Sequence, residues 1–360
     1  MLEHIWKRVI RRRRYSFWAI PAAALWVVSV GYRLLAGLIR MRSAPVESTG
    51  IPVISVGNIT VGGTGKTPVV HFLARLLLSE GVRVGIVSSG YGRRSQAAIT
   101  EPGYKVQKRP AGETGDEVRL LAGFLPEAVF SVDRFKLTAA RRLAESGKID
   151  VVIVDDGFQH TGLARDLDIV TYDAAVPRRQ LKMFPYGILR EPLSALKRAD
   201  VIIVTRSNFA VDIGQLHKSL EQLNPDAEHY RAQFRIDTLV GHSRRLPVKY
   251  LEDKSVLLFA GVGNFRPLHK QVAALAGDLD YALELSDHQH YDRQLLLRIR
   301  SLAERHDSDV IVTTGKDWVK LPDFDFGREI YYLAQSTDLD PGEEKLIAYV
   351  LKRLKLKRHV

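Results

Sequence analysis

From Val53 to Thr67 the chain reads VISVGNITVGGTGKT, a short apolar run, a glycine-rich turn and then Lys-Thr opening an amphipathic segment. This is a strand feeding a helix, and the turn between them is suited to an anion. Glycines let backbone N–H groups close around phosphate oxygens, and the N-terminus of the following helix favours negative charge. Lys66 is placed to reach the outer phosphates of a nucleoside triphosphate, and the Thr67 hydroxyl to ligate Mg²⁺. The usual spacing GxxxxGK[ST] asks for glycine at position 60, where the chain has Thr60. Gly62, Gly63 and Gly65, with Thr64 among them, crowd the turn instead. The expectation is a variant P-loop that binds ATP or GTP through residues 62–67.

Around this turn, short Val/Ile-rich runs at 51–57, 83–89, 150–155, 168–172 and 200–205 read as strands, as expected of a parallel sheet buried on both faces. Segments at 66–80, 115–124, 133–147 and 212–223 read as the intervening helices. From about 235 a second stretch follows, with strands near 255–260, 309–313 and 329–333 and helices near 266–277, 291–305 and 341–355. The expected class is α/β: a P-loop NTPase-type, mostly parallel sheet with flanking helices over 44–234. A smaller C-terminal α/β lobe over 235–360 completes it, its last helix free to pack back on the core. Ligands of such sheets bind at the carboxyl ends of the strands.

Acids follow the P-loop at suggestive places. DVVIVDDGFQ (150–159) is an apolar strand ending in Asp155 and Asp156, the form of a Walker-B element that holds Mg²⁺ directly or through water, although Asp-Asp-Gly is also a common turn. Gly115-Asp116-Glu117 opens a helix, where acids cap the dipole or project a base toward phosphates. Ser286-Asp287-His288-Gln289-His290 holds two histidines without a third metal ligand at characteristic spacing, so its residues alone favour a solvated loop. Arg190-Glu191 and Thr313–Asp317 are further polar clusters beside Gly and Pro turns.

The chain has no cysteine, which excludes disulfides, thiolate metal sites and cysteine nucleophiles. Its net charge of +12 asks for an acidic partner. Much of the excess lies at the ends, in Lys7, Arg8 and Arg11 to Arg14, and in Lys352, Arg353, Lys355, Lys357 and Arg358. No aromatic-interleaved basic motif accompanies them, so nucleic acid is not expected, and no obligate protein partner is inferred. Residues 16–32, SFWAIPAAALWVVSVGY, carry no charge, and 34–39 continue the apolar run past Arg33. A spanning helix needs about 20 such residues, and Pro21 and Arg33 interrupt this one. A signal peptide is an alternative, but basic flanks on both sides favour a helix in residues 1–43 that lies in the inner leaflet, with Trp18 and Trp26 near the headgroups.

Taken together, these segments resemble the tetraacyldisaccharide 4'-kinase family, the lipid A 4'-kinases of Gram-negative bacteria. The likeness runs through SVGNITVGGTGKTP (55–68), GYGR (90–93), GDE (115–117), VDDGFQH (154–160), LREPL (189–193), AGVGN (260–264), SDH (286–288) and TTGKDWVKL (313–321). It implies transfer of the γ-phosphoryl group of ATP, with Mg²⁺, to the 4'-hydroxyl of an acylated glucosamine disaccharide 1-phosphate, giving lipid IVA at the cytoplasmic face of the bacterial inner membrane. It implies that Asp116 pairs with His288 as the base, assembled when two lobes close, with Lys66 on the transferred group. Thr67, Asp155, Asp156 and Glu191 then compete for Mg²⁺. The family's SRGYGR reads SSGYGR, leaving Arg93 or Arg94 to replace a cation at Ser89, and TTEKD reads TTGKD, with Gly315 for an acid. The competing class is a membrane-associated P-loop ATPase switch. Such switches carry a second lysine early in the loop, and none lies between Val53 and Gly65.

Overall fold

The structure, a computed structural model, describes Trp6, Val9, Ile10 and residues 19–41, 45–262, 265–287 and 289–356. His288, Trp18, the N-terminal basic block (Lys7, Arg8 and Arg11 to Arg14), and Lys357 and Arg358 lie outside the described residues.

The strands, in chain order, are β1 (Val53–Asn58), β2 (Val84–Ser88), β3 (Ile99–Pro102), β4 (Val129–Val132), β5 (Val151–Asp155), β6 (Leu167–Asp173), β7 (Val201–Thr205), β8 (Glu228–Val240), β9 (Arg245–Pro247), β10 (Ser255–Ala260), β11 (Asp278–Glu284), β12 (Val310–Thr314) and β13 (Glu329–Asp340). The longer helices are α1 (Ala19–Met41), α2 (Lys66–Ser79), α3 (Asp116–Phe124), α4 (Lys136–Glu145), α5 (Ile213–Leu223), α6 (Phe265–Ala273), α7 (Arg293–Arg305) and α8 (Glu343–Leu354).

Two compact units divide the chain: Met1–Ser89, Phe135–Gln233 and Thr337–Val360 form the first, and Gly90–Arg134 with Phe234–Ser336 the second. This division is discontinuous, unlike the contiguous split at 234 read from the sequence. Residues 90–134 join the second unit because Glu117 and Arg119 of α3 bond to Lys316 Nζ and to the carbonyl of Val319. The last helix returns to the first unit, where Arg75 of α2 meets Glu343 of α8 at 2.8 Å.

In the first unit the strands run β8-β7-β6-β1-β5-β2, all parallel. Every residue of β1, β2, β5, β6 and β7 is buried, as the Val/Ile-rich runs anticipated. Helices α2 and α8 pack on each other, with α2 also on β1 and β5 and α8 on β6, while α4 packs on β2 and β5 and a core gathers around Ile59, Phe158, Val170, Ile202 and Leu220. The loop after β5 packs hard against β1: a Cβ on Gly57 would lie 2.5 Å from the Phe158 Cβ and 2.8 Å from its backbone nitrogen. That close approach brings the acids of β5 to the P-loop.

In the second unit β11-β10-β12-β13 run parallel and β3 pairs antiparallel with β4. Alternation along β10 sorts its residues cleanly. Val256, Leu258 and Ala260 enter one core with Phe265 and Val272 of α6, while Leu257 and Phe259 enter another with Leu296 and Ile299 of α7.

Helix α1 rests on the first unit by a narrow stripe. Ala22 and Ser29 are buried and Leu25, Tyr32 and Ala36 half-buried, at the i, i+3, i+7 spacing of one helical face. Its larger apolar side chains point away: Val27 and Leu34 are each 64% exposed and Trp26 55%. The 18-residue stretch Pro21–Leu38 has a mean hydropathy of 1.4, long and apolar enough to cross a membrane by length and composition.

Candidate active site

In the turn between β1 and α2, left-handed backbone falls at Gly62 (φ +99°) and Gly65 (φ +81°). Thr60 instead forms an antiparallel bridge with Leu189, and the Val61 N–H donates to the Ile188 carbonyl at 2.7 Å. The bend usually supplied by glycine at the head of the loop has moved to Gly62, which is why position 60 accommodates a β-branched residue. A Cβ on Gly62 or Gly63 would meet nothing within 4 Å, so this backbone faces open space, as a phosphate cradle must.

Thr64 turns the other way. It is 3% exposed, accepts from Asn58 Nδ2 at 2.8 Å and shares a hydrogen bond with Thr171 Oγ1 at 2.9 Å. Its carbonyl accepts from Thr205 Oγ1 at 2.8 Å. The Thr64 hydroxyl thus anchors the loop on β1 and β6, leaving only its backbone for a ligand. Arg206, itself at φ +52°, reinforces the anchor by donating to the Gly63 carbonyl and to Asp173.

The register of β1 and β5 pairs Val56 with Asp155, which sets the acids beside the turn. Asp155 ends β5 and is buried. Asp156 follows in left-handed backbone (φ +53°), a conformation that Asp tolerates better than most residues. Its Oδ1 lies 3.3 Å from Lys66 Nζ, its Oδ2 3.0 Å from Arg190 Nη1, and its carbonyl accepts from Lys136 Nζ. Burial pushes the Asp156 carboxyl up, but Lys66, Arg190 and Lys136 outweigh it and hold the group below the ordinary carboxylate value. Burial pulls the Lys136 ammonium down against the opposing pull of Asp156 and Asp155. Glu191 is 3% exposed and its Oε2 accepts from Arg198 at 2.9 Å. Its charge is already paired, which weakens it as a ligand relative to the acids of β5.

Among the described residues no group of three or more His, Asp or Glu side chains is gathered at metal-binding distance. Mg²⁺ does not need one: it takes one or two protein oxygens and completes its octahedron with phosphates and water. The Thr67 hydroxyl and the acids Asp155 and Asp156 are hard oxygen donors of that kind.

The GDE and TTGKD motifs meet within the second unit. Glu117 Oε1 lies 2.5 Å from Lys316 Nζ, although the residues are 199 positions apart. Lys320 Nζ stands 3.0 Å from Asp317 Oδ1 and 3.8 Å from Asp116 Oδ2. Asp317 is wholly buried, and it accepts from the Gly261 N–H at 3.0 Å and the Thr314 hydroxyl at 2.7 Å. Burial works against the charge of Lys316, and Glu117, with Asp287 and Asp116 beyond it, more than offsets that penalty. Tyr291 is pushed up by burial, then by Asp317 and Asp116. Asp116 therefore belongs to the same unit as Asp287 and Gln289, which flank His288. The expectation that Asp116 and the histidine segment come from separate lobes is corrected: Gly90–Arg134, which holds α3, forms one unit with Phe234–Ser336. Gly315, where the sequence reading noted a missing acid, is filled by a neighbour, since a Cβ there would lie 2.9 Å from a methyl of Leu120.

Lys136 stands outside the motifs of the sequence, and Lys320 lies within TTGKDWVKL without a role of its own there. Lys136 carried a signal, because a lysine as the first residue of a helix opposes the dipole and so asks for another reason to be there.

The sequence profile of the family described as Tetraacyldisaccharide-1-P 4'-kinase matches residues 21–355. A tetraacyldisaccharide 4'-kinase of Desulfotalea psychrophila is 32% identical over 334 residues, covering 91% of this chain and 94% of the relative. That of Geobacter metallireducens is 37% identical over 312 residues, covering 83% and 88%. Among solved structures, LpxK from Aquifex aeolicus in complex with ATP superposes with a TM-score of 0.73 at 26% identity, covering 92% of this chain and 99% of that one. With a P-loop, paired acids and a GDE helix in place, and relatives matched over nearly their whole length, the chain belongs to the tetraacyldisaccharide-1-P 4'-kinase family.

Proposed function

We propose that this chain transfers the γ-phosphoryl group of ATP to the 4'-hydroxyl of an acylated glucosamine disaccharide 1-phosphate, giving lipid IVA and ADP. The observation that carries the reading is the array at the end of β5, where Lys66 of the P-loop lies 3.3 Å from Asp156. Backbone N–H groups of residues 62–65 and the N-terminus of α2 hold the β-phosphate side, and Lys66 neutralises the transferred group. Thr67 and Asp155 are the best placed to hold Mg²⁺, since Asp156 is engaged by three cations and Glu191 by Arg198. Mg²⁺ held by those residues would supply positive charge against the charge that develops on the transferred phosphoryl group. Asp116 accepts the proton of the sugar hydroxyl as its oxygen bonds to phosphorus and the bond to ADP breaks. His288 is assigned by its motif alone as the group that orients Asp116.

The acceptor's acyl chains stay in a bilayer, and the apolar side chains that α1 exposes suit insertion at that surface. These exposed side chains support a working location at the cytoplasmic face of the inner membrane, where ATP is available. The decisive assay incubates the full chain with γ-labelled ATP and the acylated disaccharide 1-phosphate in detergent micelles. Label on the lipid supports the reading. Label released only as inorganic phosphate, at a rate indifferent to the lipid, would favour an ATPase switch.

A further inference from the structure

Arg190 is fixed from two sides. Its N–H donates to the Ile59 carbonyl at 2.8 Å, at the head of the P-loop. Its own carbonyl accepts from the Tyr32 hydroxyl of α1 at 3.3 Å. With the backbone so held, the guanidinium reaches Asp156 at 3.0 Å, and Asp156 in turn faces Lys66. The N-terminal segment grips the same loop a second time. Phe184 packs T-shaped against the Tyr32 ring at 5.8 Å between centroids and lies 5.7 Å from the Trp6 ring, while Trp6 Nε1 donates to the Pro185 carbonyl at 2.7 Å. The loop touched by these two aromatics bridges Thr60 through Leu189. A helix that served only as an anchor would need none of these bonds. Its large apolar side chains face outward, and Tyr32 lies on the stripe turned inward.

We propose that Tyr32 is a positioning residue for the phosphate site, acting through Arg190 to set the Arg190–Asp156–Lys66 array. The inference rests on the kinase reading for its catalytic consequence, but not for its effect on nucleotide binding. Tyr32→Phe removes the hydroxyl and keeps the ring on Phe184. In the full chain in detergent micelles it lowers kcat by about threefold to tenfold, the scale of one neutral hydrogen bond, and leaves KM for the lipid acceptor unchanged. Because the hydroxyl acts through Arg190, the losses from Tyr32→Phe and Arg190→Lys fall short of multiplying in the double variant.

A second readout needs no acceptor: the affinity for a fluorescent ribose-labelled ATP analogue falls with Tyr32→Phe, again non-additively with Arg190→Lys. Trp6→Phe, which removes the N–H donated to Pro185, shifts both readouts the same way. Unchanged kcat and unchanged nucleotide affinity in Tyr32→Phe would overturn the proposal. So would a change confined to the lipid KM, or losses that multiply fully with Arg190→Lys. If lipid is never phosphorylated by the parent chain while the nucleotide readout moves as described, the kinase reading fails and the positioning role stands.

Discussion

Lys66 Nζ sits 3.3 Å from Oδ1 of Asp156, so the cation meant for a phosphate is held by a carboxylate at the end of the neighbouring strand. Asp156 keeps two other cations, Arg190 and Lys136, when Lys66 moves to a ligand. Lys66→Ala is therefore expected to fold, with little change in melting temperature, and to lower kcat by at least about a hundredfold through loss of charge stabilisation. Initial rates with labelled ATP and a thermal melt together check this. Turnover like that of the parent chain would remove the P-loop from the mechanism.

Asp116→Ala and His288→Ala are each expected to cut kcat strongly, and the double variant little further, because two residues forming one base cannot be lost twice. Single-turnover rates for the three variants measure it. Fully multiplicative losses would mean the groups act separately.

His71, on α2, titrates at about 4 rather than 6.5, chiefly because burial disfavours its charged form and secondarily because Arg75 is near. Between those values the unfolded chain binds a proton that the folded chain does not, so stability rises with pH through that window and falls on acidification from about 6.5 toward 4. The contribution is at most about 3 kcal/mol. His71→Leu removes it. Denaturant midpoints at pH 7 and pH 5 should differ less in the variant, and an equal difference would assign the acid sensitivity elsewhere.

Two glycines separate fold from ligand. Gly57→Ala drives a Cβ to 2.5 Å from Phe158, beside its backbone nitrogen, and is expected to cost about 1–3 kcal/mol of stability. Gly63→Ala has open space around the added Cβ and no left-handed backbone to strain, so the free protein keeps its stability. The methyl then projects where backbone must approach phosphate, and nucleotide affinity is expected to fall. Urea midpoints and nucleotide titrations of both variants test the contrast.

Strands β1, β2, β5, β6 and β7 were legible because each is buried along its whole length and reads as a Val/Ile-rich run. β8 and β11 were not. β8, EHYRAQFRIDTLV, buries only Tyr230, Ala232, Ile236 and Leu239, and β11, DLDYALE, is mostly half-buried with acids at two of its first three positions. Their polar faces dilute the signal that a local window detects. The site followed the same logic. Residues 62–67 and the acids at 155 and 156 adjoin a glycine turn or a strand end, where neighbours in sequence state the chemistry. Lys136, Arg198 and Lys320 earn their roles from partners far along the chain.

By itself the sequence determined that a strand, a glycine turn and a helix would form an anion cradle, that an apolar helix would precede it, and that acids would close the neighbouring strand. These depend on local periodicity and on residue types with few other uses. Only the tertiary structure decided that the glycine bend begins at Gly62, that the Thr64 hydroxyl turns inward, and that Asp156 answers to three cations. It also decided that Asp116 shares a unit with the segment around His288. Those outcomes come from strand register and from contacts between distant segments, which leave no pattern in any short stretch of sequence.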